Sequence, residues 1–390
     1  MKEGWTYKKL GDIATDMYRG AGIKRDQVVS EGIPCVRYGE IYTTYNIAFK
    51  ECLSHTKESF VSSPKYFEHG DLLFAITGES VEDIGKTIAY LGHEKCLLGG
   101  DIVCMKHNQN PKYLSYALSS ADAIRQKGLG KTKLKVVHTN IPALSEITIP
   151  LPGLSEQQRI VSRLDAAFAH IDELKANAEK QLSEARNLFQ KALEKAMEPK
   201  EGWEERTLGQ ICDIKSVLVN PTESMYKDMF HIGGANIESN TGTLTDLKTA
   251  SEEGLTSGKF TFDSNDVLYN KIRPYLVKVV RPNFSGLCSA DMYPLTPKKG
   301  VSKDYLYYIL ISKDFTEYAI LNSGRAGMPK VNRQALFSYR TKVPPISEQY
   351  RIAKRLDALS EHVHELEDVL RKTISECDAL KQALLRKVFE

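Results

Sequence analysis

The chain lacks the cysteine patterns of metal and disulfide proteins. Its seven cysteines include no C-x-x-C pair, the spacing that many zinc and thiol redox sites use. Their odd number also disfavours a disulfide framework, so we expect reduced, mostly buried thiols and no metal site. No stretch approaches the roughly 18 uninterrupted apolar residues of a membrane span. Residues 1–10 carry charges in place of an apolar signal, so we expect a cytoplasmic protein without a membrane contact.

Catalytic motifs are missing as well. The G-x-x-x-x-G-K-[ST] loop that cradles ATP phosphates is absent. Adenine methylation would need a glycine-rich cofactor loop and an Asn or Asp followed by two prolines and an aromatic residue. The only similar run, Pro344 and Pro345, lies between Val343 and Ile346. No cluster of acids with a lysine recurs in both halves of the chain, so we expect no catalytic residue and no cofactor in this chain.

The size and charge of the chain give only broad limits. A chain of 390 residues exceeds one ordinary domain and predicts two or three. The net charge of +3 is too small to indicate a polyanionic partner. The positions of the basic residues are therefore more informative than their sum.

The sequence contains an internal repeat. Residues 154–180 read LSEQQRIVSRLDAAFAHIDELKANAEK, and residues 346–372, 192 positions later, read ISEQYRIAKRLDALSEHVHELEDVLRK. Thirteen of the 27 aligned residues are identical. A repeat of this length sets the architecture of the whole chain, so we expect two similar units.

The repeat extends weakly through the segments that precede these two. The only tryptophans, Trp5 and Trp203, correspond, and GDLLFAITG at 70–78 corresponds to NDVLYNKIR at 265–273. Short β-like runs, turn residues and a helical stretch predict an α+β (mixed α/β) globule in each half. The predicted order is globule, spacer helix, globule and C-terminal spacer helix, at residues 1–153, 154–199, 200–345 and 346–390.

Each half ends in a segment typical of a coiled-coil helix. Residues 155–198 contain no glycine or proline, and apolar residues recur in steps of four and three with one extra four-residue step. The extra step falls at Leu174, Ala178 and Leu182 in the first helix and at Leu366, Leu370 and Ile374 in the second. Ser155 and Ser347, each followed by glutamate, are predicted N-caps.

The connectivity predicts antiparallel helices. The first helix leads from one globule to the other, so the second can lie along it only by running back. About 43 residues at 1.5 Å each give a rod of about 65 Å. We therefore expect two α/β globules held apart by an antiparallel coiled coil with pseudo-two-fold symmetry. A coiled coil that serves only to dimerise whole molecules is the alternative.

Two basic stretches without acidic residues occupy equivalent places in the repeat. Residues 125–145 and 323–347 each contain five Lys or Arg residues and no Asp or Glu. Lys neutralises phosphate, and Arg and Asn can pair bidentately with guanine and adenine. The predicted contacts with double-stranded DNA are Arg37, Tyr38, Lys86, Lys131, Lys133, Lys135, His138 and Asn140 in the first half and Lys271, Arg273, Arg325, Lys330, Asn332 and Arg333 in the second. For each single residue, an ordinary solvated surface charge is the alternative.

The duplicated LSEQQRI and ISEQYRI segments, each preceded by proline and opening a long helix, resemble those of the type I restriction specificity subunits. The openings GWTYKKLGDIA at 4–14 and GWEERTLGQIC at 202–212 and the GDLLF run resemble that family's target recognition domains. The resemblance covers essentially the whole chain. It implies two such domains, each reading half of a bipartite, asymmetric DNA site, and two helices that act as a ruler across the unread gap.

The resemblance also implies partner proteins. Two methyltransferase subunits would hold S-adenosylmethionine and methylate adenine, and nuclease and translocase subunits, which use ATP and Mg²⁺, would join for cleavage. This chain would be the non-catalytic DNA-specificity subunit. The helix residues that we predict to contact the partners are Arg159, Arg163, Arg351 and Arg355.

Two other classes of function stay open at this level. A divergent methyltransferase or nuclease should modify or cut DNA when purified alone. A structural or regulatory DNA-binding coiled-coil protein should bind a site without recruiting a methyltransferase. An adjacent methyltransferase gene would favour the specificity subunit over both.

Overall fold

The computed structural model describes residues 4–129, 136–215, 217–324 and 327–390. The chain divides into two compact units. Unit 1 comprises Met1–Glu179 with Lys372–Glu390, and unit 2 comprises Lys180–Arg371. Each unit therefore takes one globular domain together with a segment of each long helix.

Unit 1 is a mixed α/β domain with two five-stranded sheets. Its strands are β1 (Thr6–Lys9), β2 (Ala14–Arg19), β3 (Val28–Val29), β4 (Ile33–Val36), β5 (Ala48–Phe49), β6 (Ser54–Thr56), β7 (Tyr66–Phe67), β8 (Leu72–Ala75), β9 (Thr77–Gly78), β10 (Thr87–Tyr90), β11 (Cys96–Leu98), β12 (Ile102–His107), β13 (Val137–His138) and β14 (Thr148–Leu151). Its helices are α1 (Leu10–Ile13), α2 (Tyr38–Thr43), α3 (Pro111–Ala117), α4 (Ala121–Gly128), α5 (Ile141–Ser145) and the first part of α6 (Leu154–Met197). The sheet orders are β2-β12-β8-β10-β5 and β3-β6-β4-β11-β7, and β1-β14 and β9-β13 form separate pairs.

Unit 2 repeats this architecture. Its strands are β15 (Glu204–Thr207), β16 (Cys212–Ile214), β17 (Leu218–Val219), β18 (Phe230–Ile232), β19 (Lys248–Thr249), β20 (Lys259–Phe262), β21 (Val267–Asn270), β22 (Val279–Val280), β23 (Gly286–Cys288), β24 (Met292–Pro297) and β25 (Arg340–Val343). Its helices are α7 (Leu208–Ile211), α8 (Lys303–Ile311), α9 (Lys313–Leu321), α10 (Arg333–Ser338) and the first part of α11 (Ile346–Phe389). The sheet orders are β16-β24-β21-β22 and β17-β20-β23-β18-β19, and β15 pairs with β25. The predicted mixed α/β class and the internal repeat are confirmed.

Strand β8 shows why the apolar runs form buried strands. Side chains alternate between the two faces of a strand, and both faces of β8 are covered. Leu72 and Phe74 pack in the cluster that includes α3, whereas Leu73 and Ala75 pack in a second cluster between the sheets. A strand that is buried on both sides needs apolar residues at every position, which explains the continuous run in this part of the sequence.

Equivalent hydrogen bonds fix each domain to a long helix. In unit 1 the Tyr116 hydroxyl donates to Asp165 of α6 at 2.8 Å. In unit 2 the Tyr308 hydroxyl donates to Asp357 of α11 at 2.6 Å. Both aspartates belong to the duplicated RLDA segment, so the repeat preserves the joint between domain and helix.

The repeated SEQ segment contributes a buried glutamine at each joint. Gln157 is fully buried; its Oε1 accepts from the Asn110 N–H at 3.0 Å and its Nε2 donates to the Pro152 carbonyl at 2.8 Å. Gln349, also fully buried, accepts from the Ser302 N–H at 2.8 Å. In each unit the glutamine ties the start of a long helix to the start of a helix in the domain.

The starts of α6 and α11 differ from the prediction. The first helical hydrogen bonds end on the carbonyls of Gly153 and Pro345, at 3.0 and 2.9 Å. Ser155 and Ser347 therefore lie inside the first turn, and their predicted role as N-caps is wrong. Because α6 begins at Leu154 and α11 at Ile346, the cap residues are Gly153 and Pro345, which precede the serines.

Within unit 1 the segments of α6 and α11 run antiparallel. Lys175 Nζ lies 2.8 Å from the carboxylate of Asp378, and Lys381 pairs with Asp172. Residue numbers rise along one helix as they fall along the other, which confirms the predicted direction. In unit 2, Arg186 of α6 pairs with Glu367 of α11 at 2.8 Å.

The seam between the helices differs from the predicted one. Leu174 and Leu366 belong to the predicted apolar stripe, and Leu380 continues the stripe of the second helix, but the three are 51%, 44% and 48% exposed. The next residue of each helix lies nearer the partner instead; Glu367 is only 6% exposed, and Lys175 forms its pair with α11. The prediction of leucine at these inner positions is wrong, because complementary charges on the two helices occupy them.

Candidate nucleic-acid interface

Four cations converge on one pair of loops in unit 2. The chain that leaves β21 meets the segment before α10 through a β-bridge between Ile272 and Lys330. The Arg273 N–H donates to the Pro329 carbonyl at 2.8 Å. These bonds bring together the predicted residues Lys271, Arg273, Lys330 and Arg333, which we call the unit 2 basic cluster.

Three members of the cluster are exposed and carry charge that carboxylates do not balance. Arg273, Lys330 and Arg333 are all exposed. Other cations of unit 2, such as Lys215 and Arg281, pair with carboxylates at 2.8 and 2.6 Å. In the part of the chain that the structure describes, no ion pair involves the three exposed members. Their charge is thus available to an anion such as DNA phosphate.

Lys271 does not reach the surface as predicted. It is 8% exposed, donates to the Ala290 carbonyl, and lies 5.0 Å from the centre of the Tyr293 ring. Burial lowers the pKa of Lys271, and the positive charges of Lys330 and Arg333 lower it further. Its polar neighbours within the unit are the Ala290 carbonyl and Asp291, 3.9 Å from Nζ, and its contact with DNA stays a prediction.

The two predicted asparagines are helix N-caps. Asn140 Oδ1 accepts from the Ala143 N–H at 2.9 Å, and Asn332 Oδ1 accepts from the Ala335 N–H at 2.8 Å. A bidentate contact with adenine needs both the oxygen and the nitrogen of the amide. Capping of a helix accounts for asparagine at both positions of the repeat, and the contacts of Asn140 and Asn332 with DNA stay predictions.

The equivalent place in unit 1 carries different side chains. Strand β13 pairs with β9 so that His138 faces Thr77 and Val137 faces Gly78. His138 is exposed, and its Nδ1 lies 3.1 Å from Thr77 Oγ1. Of the predicted DNA contacts, Lys131, Lys133, Lys135 and Arg325 lie outside the described residues.

The other predicted contacts of unit 1 have partners within the unit. Arg37 Nε donates to Glu40 Oε1 at 3.0 Å, so its charge is balanced. Lys86 is half-buried, and its Nζ donates to the Tyr42 carbonyl at 3.3 Å; burial lowers the pKa of Lys86. Tyr38 is 42% exposed and is the most accessible of the three.

One cation of the first basic stretch is buried. Lys127 on α4 is 6% exposed, and its Nζ donates to the Leu118 carbonyl at 2.7 Å and to Thr87 Oγ1 at 3.0 Å. Burial lowers the pKa of Lys127 to about 7. The stretch is therefore less basic at the surface than its composition indicates.

Lys127 should make the stability of unit 1 depend on pH. The folded pKa lies below the unfolded value, so the unfolded chain binds the extra proton and stability rises with pH from about 7 towards 10.5. Between pH 6 and 8 the gain should be about 1.4 kcal/mol. Lys127→Met should lack this component. Urea denaturation of both proteins across this pH range measures the difference; parallel curves would contradict the assignment.

The predicted partner contacts lie on the first turns of the long helices. Arg159 and Arg351 each pair with the glutamate three residues earlier, at 2.7 and 2.5 Å. Arg163 and Arg355 lie one turn further along and are exposed. Both pairs occupy equivalent positions in the repeat, so each unit presents the same feature once.

Two classes of site find no support in the described ranges. Among residues 4–129, 136–215, 217–324 and 327–390, no helix is long and apolar enough to cross a membrane. The same residues include no group of three or more His, Cys, Asp or Glu side chains that could hold a metal ion. All seven cysteines are free; six are buried and Cys52 is half-buried.

Known proteins share both the repeat and the fold. The family model of the type I restriction modification DNA specificity domain matches twice, over residues 2–184 and 200–376. The chain is 28% identical over 301 residues to the EcoDI specificity subunit of a type I restriction enzyme of Escherichia coli, which covers 68% of this chain and 66% of that protein. It is 26% identical over 418 residues to the putative MjaX specificity subunit of Methanocaldococcus jannaschii, covering 98% and 92%.

Solved structures agree with the fold. A chain from a study of complex assembly and conformational transition in the type I R-M system aligns with a TM-score of 0.75 and 19% identity over 99% of this chain and 98% of that one. The HsdS subunit from Thermoanaerobacter tengcongensis aligns with a TM-score of 0.53 and 19% identity over 100% and 97%. Because the family model covers both halves, the chain belongs to the type I restriction modification DNA specificity family.

Proposed function

We propose that this chain is the DNA-specificity subunit of a type I restriction-modification complex. It reads a bipartite and asymmetric site in double-stranded DNA and performs no catalysis itself. The observation that carries the proposal is one repeated scaffold with different side chains at the same place, His138 in unit 1 and Lys330 in unit 2. Two copies of one reading domain with different surfaces suit two unlike half-sites.

The exposed cations of unit 2 support binding to DNA. Lys330 can neutralise a phosphate, and the guanidinium groups of Arg273 and Arg333 can donate to base edges or phosphates. Backbone hydrogen bonds hold the segment that carries them, so the groups are placed before the DNA arrives. For unit 1 the sequence predicts DNA contacts at Lys131, Lys133 and Lys135, which lie outside the described residues.

The complex requires partners for its chemistry. Two methyltransferase subunits would bind S-adenosylmethionine and methylate adenine, and nuclease and translocase subunits that use ATP and Mg²⁺ would add cleavage. The equivalent positions of Arg163 and Arg355 support one partner contact for each unit. Such a complex would act on DNA in the cytoplasm.

Methylation mapping tests the proposal. The chain is produced with its methyltransferase partner in cells that lack other adenine methyltransferases, and methylated adenines are mapped across the genome. We expect a motif of two specified parts separated by a fixed gap, and no methylation by either protein alone. Methylation or cleavage of DNA by the purified chain would support the enzyme alternative and overturn the proposal, as would partner-dependent methylation without a motif.

Charge reversal on the helices tests the partner contact. The double variant Arg163→Glu and Arg355→Glu should lower the affinity for the methyltransferase subunit at least about tenfold, because both equivalent contacts are lost. The matched control is Lys180→Glu with Lys372→Glu, which reverses two equivalent exposed charges elsewhere on α6 and α11. Co-purification and circular dichroism measure assembly and folding. Equal recovery of partner with both folded double variants would contradict the proposed contact.

A further inference from the structure

The same backbone hydrogen bond closes the candidate site in both units. In unit 1 the Thr139 N–H donates to the Ile76 carbonyl at 3.0 Å, and in unit 2 the Val331 N–H donates to the Lys271 carbonyl at 3.0 Å. These bonds, together with the pairing of the flanking residues, fix which positions are equivalent. The equivalent pairs are Gly78 with Arg273, His138 with Lys330 and Ile141 with Arg333.

At these equivalent positions unit 2 has three cations and unit 1 has a glycine, a histidine and an isoleucine. The two units share the hydrogen bonds that close the site but differ in these side chains and in the backbone at one position, where Arg273 has a positive φ and Gly78 does not. Side chains that vary on a constant scaffold are the ones that can distinguish unlike half-sites. The unit 2 basic cluster is therefore a candidate for base recognition and not only for attraction to phosphate.

The backbone of Arg273 is held in one conformation. Arg273 has a φ of 52°, a left-handed conformation that residues other than glycine adopt rarely. Its N–H is bound to the Pro329 carbonyl, and Pro274 follows it. Strained backbone of this kind is concentrated at functional sites. A guanidinium on a fixed backbone can donate two hydrogen bonds to O6 and N7 of guanine, the geometry of the commonest base-specific contact.

The charges of the cluster favour an electronegative ligand. Lys271 is buried and lies 3.9 Å from Asp291, and the nearby Lys330 and Arg333 act on it with the same sign of charge. Like charges gathered at one place repel each other, and an acceptor-rich base edge or a phosphate removes that repulsion. Guanine offers two acceptors in the major groove, where cytosine offers a donor.

We propose that Arg273 and Arg333 recognise a guanine in the half-site bound by unit 2, while Lys330 contacts an adjacent phosphate. Unit 1, with Gly78 and Ile141 at the same positions, reads its half-site without an arginine at this place. The inference rests on the proposed function, because it assigns the bases read by a DNA-specificity subunit.

Methylation mapping of single variants in the assembled complex tests the assignment. We use Arg273→Gly, since glycine accepts the left-handed backbone, and Arg333→Gln. Each should lower methylation of the wild-type motif about 10- to 100-fold. Each should also relax the requirement for guanine at one position, in one half of the motif only. The other half of the motif should be unchanged.

Lys330→Ala is the control for a phosphate contact. It should weaken DNA binding at all sites alike, keep the motif, and reduce the slope of log affinity against log salt by about one. Arginine variants that behave in this way, losing methylation uniformly with the motif intact, would overturn the assignment of a guanine reader. Folded arginine variants with unchanged methylation would overturn it as well.

The failure of this inference is distinguishable from the failure of the proposed function. If the wild-type complex methylates no bipartite motif, the function is wrong. If it methylates such a motif but neither half contains a guanine that depends on Arg273 or Arg333, only the assignment is wrong. Thermal melting of each variant identifies misfolding, and for a misfolded Arg273→Gly protein, Arg273→Asn provides the second test because asparagine tolerates the same backbone.

Discussion

Replacing Gln157 with leucine should lower the free energy of unfolding of unit 1 by about 3 kcal/mol. The substitution keeps the volume of the side chain but leaves the Asn110 N–H and the Pro152 carbonyl without the partners they have now. Each buried polar group that loses its hydrogen bond costs about 1 to 3 kcal/mol. The neighbouring bond from Gln157 Nε2 to Gln109, at 2.9 Å, is lost as well.

Gln158→Leu is the matched control for this prediction. Gln158 is exposed, and it accepts one hydrogen bond, from Asn110 Nδ2 at 2.8 Å. Its replacement should cost no more than about 0.5 kcal/mol. Gln349→Leu should destabilise unit 2 as strongly as Gln157→Leu destabilises unit 1, since it loses the Ser302 and Pro344 partners. Denaturant unfolding followed by circular dichroism compares the variants. Equal stability of the Gln157 and Gln158 variants would contradict the proposed role of Gln157 in holding the long helix to the domain.

The repeat made much of the fold predictable. The apolar residues 72–75 indicate a buried strand, because a strand that is covered on both faces needs apolar side chains at every position. The equivalent residues 267–270 have a similar pattern. The role of Gln157 and Gln349 could not be read in the same way. A polar residue becomes a joint only when its hydrogen-bond partners, which lie about 47 residues away, have been brought to it by the fold.

Two features could not be predicted from local sequence because they depend on tertiary packing. They are the residues through which α6 and α11 face each other and the burial of two lysines. Leu174 and Leu366 match an apolar stripe, but the partner helix decides which of two neighbouring positions faces it. For the lysines a signal did exist in the repeat. Lys127 corresponds to Ala319, which is fully buried, and Lys271 corresponds to Ile76. Both counterparts are buried, Ala319 fully and Ile76 at 5% exposure, whereas Ile141, the counterpart of the exposed Arg333, is half-buried.

Reversing the charge of Glu367 should destabilise the pairing of the two long helices in unit 2. Glu367 is 6% exposed and lies 2.8 Å from Arg186 Nε and 3.5 Å from Arg371. Glu367→Lys would place three cations together, and Glu238, which pairs with Arg371 at 2.9 Å, would be the remaining carboxylate. Arg186 and Arg371 are 48% and 44% exposed, so solvent screens the repulsion. The loss of the hydrogen-bonded partners of a buried group should cost about 1 to 3 kcal/mol.

A second substitution on α6 tests whether charge explains the loss of stability, and an exposed glutamate on α11 provides the control. Arg186→Glu added to Glu367→Lys restores opposite charges at the same positions and should recover most of the lost stability. Glu365→Lys reverses an exposed charge two residues away, where Glu365 is 71% exposed, and should change stability by about 0.5 kcal/mol or less. If the double variant is no more stable than Glu367→Lys alone, geometry and not charge determines this contact.

The arrangement of these charges also explains why α6 pairs with α11. In the repeat Lys175 corresponds to Glu367 and Asp378 to Arg186, so α6 supplies the cation and α11 the acid at equivalent contacts in both units. Two copies of α6 paired in this register would place Lys175 against Arg186, and two copies of α11 would place Glu367 against Asp378. Like charges at such positions disfavour those pairings. The rescued double variant exchanges one of these pairs, so it should keep the intramolecular fold while losing the electrostatic preference for unlike helices.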